Sequence, residues 1–181
     1  MDGRAEQRRV DMSRLIQTFW GLCLLKIAPQ DLPASTVLLA LSLFTYFVTG
    51  LVVALLQWSP RAALLASLLD TVMFTSLCYL LLWARRLGSR FTQTMTALAG
   101  SCSLLALIAT PLVYWQKQLA LSAGDVLSFP ALLLFAWTGW NISVVGHILR
   151  HALSTAFLLG LGLAVLYTYI ILQLIRILIP Q

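Results

Sequence analysis

A chain of 181 residues that is 60% hydrophobic and only 10% charged lies far outside the soluble norm, in which about a quarter of residues are charged. That composition excludes a disordered chain and makes lipid the natural solvent for most of the surface, in one membrane domain. A net charge of +6 is compatible with nucleic acid, but the basic residues form no single aromatic-interleaved patch, and orientation in a membrane accounts for them better.

In chain order, "MDGRAEQRRVDMSR" is polar and basic, and "LIQTFWGLCLLKI" is apolar but short of the ~20 residues that a bilayer core requires. The outline is that of a secretory signal. Lys26 and Pro29 around Ala28, and Leu32 before Pro33, deny it the small-x-small cleavage pattern. On a helix, Leu15, Ile16, Phe19, Leu22 and Cys23 share one side, with Ser13, Gln17 and Gly21 opposite. This predicts an amphipathic helix lying in the membrane interface, with Leu24 off the pattern and Lys26 snorkelling. "APQDLPAS" then turns the chain, with Asp31 or Ser35 as helix cap and Pro33 in the first turn. Residues 1–35 are thus read as a cytoplasmic basic tail and interfacial helix, and 36–181 as a transmembrane bundle.

Five apolar segments follow, at about 36–56, 62–83, 94–115, 127–146 and 152–179. "QWSPR", "ARRLGSR" and "QKQLALSAGD" punctuate the first four. Between the fourth and fifth, "GHILRHALS" has only Gly146 as a breaker, yet a break is required: 129–179 as one helix would run about 75 Å, more than twice the core thickness. With a cytoplasmic N-terminus, Arg4, Arg8, Arg9, Arg14, Lys26, Arg85, Arg86, Arg90 and Arg150 fall inside and Arg61, Lys117 and Arg176 outside. This positive-inside bias predicts an inner N-terminus and an outer C-terminus. Were the Leu15 segment to cross as well, six spans would put both ends on one side.

Asp70, in "ALLASLLDTVMFTSLCYLLLWARRLG", is the sharpest polar signal. Counted from Ala62 it lies about 12 Å deep, where a carboxylate must be paired, protonated or wet. It is either a proton or cation site or a carboxylate satisfied by hydroxyls or a basic residue. Arg176, late in the fifth span, is the expected partner, helped by Thr71 or Thr75; Arg85 and Arg86 lie about 20 Å away along the same helix.

In the fourth span, Ala136, Gly139, Ser143 and Gly146 recur at spacings of three and four and define a small-residue face for helix packing or self-association. Ala97 with Ser101, and Gly160 with Ala164, form similar faces. Asn141 points nearly the opposite way, toward an interhelical hydrogen bond or a pore. His147 and His151, four apart, face one way as metal ligands or a proton pair do, but no third ligand is near and Ile148 stands where a zinc-protease pattern needs Glu. With Arg150 they read better as a basic turn binding lipid phosphates. Trp58, Trp83, Tyr114 and Trp115 fall at span ends, as an aromatic belt does, and Pro111 is expected to kink the third span.

Cys23, Cys78 and Cys102 show neither disulfide nor metal spacing; Cys23 is a juxtamembrane candidate for lipidation or a buried inert thiol. No phosphate loop, dinucleotide fingerprint, serine elbow or paired intramembrane carboxylates occur. No enzyme, metal or cofactor is expected.

The cytoplasmic segment, the Asp31-Leu32-Pro33 turn before the first span, five closely spaced apolar helices and the aromatic opening of the fourth (Trp137 to Trp140) resemble the Yip1-like family of integral membrane proteins. The tyrosine and glycine of the fuller eukaryotic motif are absent. The resemblance implies a non-enzymatic protein that organises membrane partners or the membrane itself, here in a bacterial inner membrane. The expectation is therefore an all-α bundle with lipid and other membrane proteins, or itself, as partners; the alternative is a small transporter or channel subunit using Asp70 as a titratable site and Asn141 along its path.

Overall fold

The computed structural model describes residues 16–123 and 128–178. The described chain is all-helical: α1 over residues 16–23, α2 Thr36–Leu55, α3 Pro60–Ala84, α4 Phe91–Ala123, α5 Phe129–Leu153 and α6 Phe157–Leu178. Single 3₁₀ turns at Pro29–Asp31 and Gly88–Arg90 precede α2 and α4. Five helices, α2 to α6, are long and apolar enough to cross a membrane.

Local chemistry sets the ends. Ser35 caps α2 by accepting the Leu38 N–H at 3.3 Å, and Pro60 and Pro130 occupy the first turns of α3 and α5, where a missing N–H costs nothing. Three helices stop with a left-handed residue that is not glycine: Leu25 (φ 61), Arg86 (φ 57) and Ser154 (φ 52). At each, the next N–H reaches back over the last turn: Lys26 to Gly21 (2.9 Å), Leu87 to Leu82 (2.7 Å) and Thr155 to Arg150 (3.0 Å). Arg90 adds its guanidinium to the Ala152 carbonyl (3.3 Å) and Ser154 Oγ (3.2 Å), a cation at the negative end of α5.

α4 is the central helix. It packs on α2 and α5, which carry α3 and α6 respectively, and α3 reaches α6 to close the ring. Several of its buried positions are small, among them Ala97, Ala99, Ser101 and Ser103, which lets neighbouring backbones approach closely. The outside is apolar: on α2, Val37, Leu41, Phe44, Val48, Val52 and Leu55 form one exposed stripe, a surface suited to lipid. Many hydroxyls are satisfied within their own helices, although Ser101 Oγ is buried without a partner among the described residues. Ser67, Thr71, Thr75, Thr96, Ser103 and Thr168 each donate to the carbonyl four residues earlier, at 2.5–2.9 Å.

One expectation changes and another gains detail. The break between the last two spans falls at Ser154, not at Gly146: Gly146 stays helical and buried, and "HILRHAL" extends α5 by nearly two turns. α1, the segment expected to lie in the membrane interface, packs onto the bundle. Leu22 and Cys23 are buried, and a Cβ on Gly100 of α4 would collide with the Phe19 ring. The segment is held by three side chains that satisfy its carbonyls: Trp140 Nε1–H to Cys23 (3.1 Å), Gln93 Nε2–H to Leu32 (2.8 Å), and His147 Nε2 with Ile27 (3.2 Å). Among the described residues α1 comprises eight, about 12 Å of helix, short of a bilayer core.

Candidate functional site

Three helices bring Asp70 its partners because three residues lie at one depth. Tyr46 is nine residues from the end of α2, Asp70 ten from the start of α3 and Tyr167 eleven from the end of α6, or about 14, 15 and 17 Å from the same end of the bundle. The Tyr46 hydroxyl donates to Asp70 Oδ2 at 2.6 Å, and the Tyr167 hydroxyl donates to Oδ1. Phe74, one turn along α3 and buried, stacks between the two phenols, with ring centroids 5.2 Å from Tyr46 and 5.0 Å from Tyr167. The carboxylate is thus clamped by two neutral donors on a floor of three aromatic rings.

The expected Asp70–Arg176 pair does not form. Arg176 is exposed and lies nine residues beyond Tyr167 on α6, about 13 Å further toward the helix end. Among the described residues no cation approaches Asp70; its side-chain partners are the two phenols. Thr71 and Thr75 do not help either, since both turn back onto α3.

Above the aromatic floor lies a cavity of about 320 Å³ walled by α2 to α6. Asp70, Tyr46 and Tyr167 line it together with Asn141, Ser67 and Thr168, and it extends to Gln57 and Trp58 at the end of α2. Among the described residues Asn141 makes no side-chain hydrogen bond, although it faces a space lined largely by carbon. Most of the wall is apolar, and its charge is that of Asp70 alone: no Lys or Arg takes part. A pocket of this size, largely apolar with a few convergent polar groups, has the dimensions and composition of a small-molecule site.

No protein-family model, curated protein or solved structure matches the chain. The site is therefore read from its chemistry.

The remaining candidates fall elsewhere. His147 is buried and turned into the N-terminal segment through Ile27, with the His151 ring edge-on at 4.7 Å. His151 Nε2 lies 3.2 Å from an Arg150 nitrogen, and Arg150 stands 5.9 Å over the Phe157 ring. The pair is thus divided between a structural bond and the helix end, and among the described residues no three His, Cys, Asp or Glu side chains converge. The small-residue face of α5 is also divided. Gly146 packs on α6, where an added Cβ would lie 3.0 Å from Leu161 Cα; Ser143 is half-buried, while Ala136 and Gly139 are exposed. Cys23 is buried with its thiol toward the Ser101 carbonyl at 3.8 Å, and burial pushes that thiol up from the ordinary range.

Tyr46 and Tyr167 are the site residues that composition and spacing alone leave unmarked. Their signal is depth: a phenol placed as many turns from its helix end as Asp70 is from its own.

Proposed function

We propose that this is a non-enzymatic integral membrane protein that takes a small polar solute into a pocket within the bilayer, as a small carrier or channel subunit does. The observation that carries this is the Asp70 carboxylate: held by phenols on the wall of a cavity shared with Asn141, with no cation on Asp70 and no partner for Asn141 among the described residues. An intramembrane ionisable residue that faces a cavity marks a solute or proton path by default. The test is a stability screen of the purified protein against amines, amino acids, sugars and inorganic ions, repeated with Asp70→Asn, with hits carried into vesicle uptake. A solute class that stabilises the wild type and not Asp70→Asn supports the proposal. Absence of any such class overturns it.

A second reading is the organiser role that the resemblance to the Yip1-like family implies, in a bacterial inner membrane with the N-terminus inside. It is supported by the motif that carries the resemblance. Leu32 is 1% exposed and its carbonyl is held by Gln93, so Asp31-Leu32-Pro33 ties the N-terminal segment to the bundle. Crosslinking from this segment in native membranes tests it: a stoichiometric protein partner supports the role, and crosslinks to lipid alone count against it.

A further inference from the structure

We infer that the solute class of this pocket is a small organic monocation, an ammonium group carried on an apolar body. The inference rests on the solute-pocket proposal above and narrows it by charge, wall chemistry and hydrogen-bonding sense.

Charge comes first. The lining residues include one acid, Asp70, and no Lys or Arg. In a site of low dielectric a single carboxylate is balanced by a single positive charge, an anion is repelled, and a zwitterion leaves its own carboxylate without a partner.

The wall distinguishes an organic cation from a metal ion. Hard cations demand a shell of about six or more oxygens. Here Val53, Ala54, Phe74, Ala106, Ile142 and Val145 present carbon to the space, and the Ser67 and Thr168 hydroxyls are directed at their own helices. Trp58 adds an aromatic surface to the same wall, which attracts a cation through its ring quadrupole. A cavity of about 320 Å³ suits an organic body better than a bare ion.

Hydrogen-bonding sense agrees. Each Asp70 oxygen receives one phenol, leaving acceptor capacity on both, and the Asn141 amide has no partner among the described residues. An ammonium brings donors only and suits carboxylate, phenol and amide oxygens.

The test uses the full chain in a neutral detergent, with phenethylammonium as probe and 2-phenylethanol, 3-phenylpropionate and sodium or potassium chloride as comparators, read by calorimetry and unfolding temperature. The expected result is selective binding of phenethylammonium, weakened about thirtyfold or more in Asp70→Asn, the scale on which a buried charge pair loses affinity when truncated. Ala106→Leu, which fills the cavity from α4, serves as a second variant should Asp70→Asn fail to fold, and is expected to abolish binding. Equal binding of 2-phenylethanol, insensitive to Asp70→Asn, overturns the cationic class while leaving the pocket proposal standing. Stabilisation by sodium or potassium equal to that by the ammonium also overturns the class. Failure of every probe, joined by failure of the broader solute screen, overturns both.

Discussion

Gly146 on α5 and Gly160 on α6 meet backbone to backbone: a Cβ on Gly160 would collide with the Gly146 carbonyl, and one on Gly146 would lie 3.0 Å from Leu161 Cα. This contact sets the separation of the two helices. Gly160→Ala is expected to destabilise by about 1–3 kcal/mol, as overpacking does. Gly162→Ala, with open space around it, is expected to be neutral or to stabilise by up to ~1 kcal/mol through helix propensity. Unfolding of both variants in detergent checks the contrast.

The Asp70 clamp makes its own prediction. Tyr46→Phe and Tyr167→Phe each remove a hydrogen bond to a carboxylate, expected to cost about 1.5–3 kcal/mol. A double-mutant cycle between either tyrosine and Asp70→Asn should show coupling of at least ~0.5 kcal/mol, while Arg176→Gln with Asp70→Asn should add within ~0.5 kcal/mol. Coupling to Arg176 instead of the tyrosines would contradict the observed arrangement.

Docking of the N-terminal segment can be read through Cys23. Its thiol is buried and its pKa is raised by burial; because the thiolate is the nucleophile, alkylation near pH 8 is expected to be slower than for a free cysteine. In a Cys78→Ala/Cys102→Ala background, Trp140→Phe removes the bond to the Cys23 carbonyl, a loss of about 1 kcal/mol that should speed maleimide labelling severalfold. An unchanged rate would mean that the segment is held by packing alone.

Arg86 is exposed and left-handed, a conformation that costs a side-chain-bearing residue ~1–2 kcal/mol relative to a right-handed one. Arg86→Gly is therefore expected to stabilise by up to ~1 kcal/mol after the added freedom of the unfolded chain is counted. Arg86→Ala should bring no such gain. Comparison of the two unfolding temperatures isolates the backbone effect.

The sequence reveals the helical class through segment length and apolar content, and Ser35 announces the start of α2 because capping is local chemistry. Asp70 is equally visible, since a carboxylate in an apolar run has no bland explanation. Its partner is not. The charge rule selects Arg176, yet the helix that carries it begins at Phe157, five residues later than the chain suggests, and register along α6 decides which residue is level with Asp70. The end of α5 escapes for a related reason: Gly146 is small for the sake of Gly160, a contact between helices, and so does not act as a breaker.

Because the serines and threonines named in α3, α4 and α6 answer their own carbonyls, they place little demand on neighbouring helices. Asp70 is different, for its two donors lie on either side of it in the chain. During synthesis from the N-terminus, Tyr46 precedes the carboxylate, but Tyr167 emerges almost a hundred residues after it. α6 therefore completes the polar interior, and a chain truncated before α6 is left with a half-satisfied carboxylate.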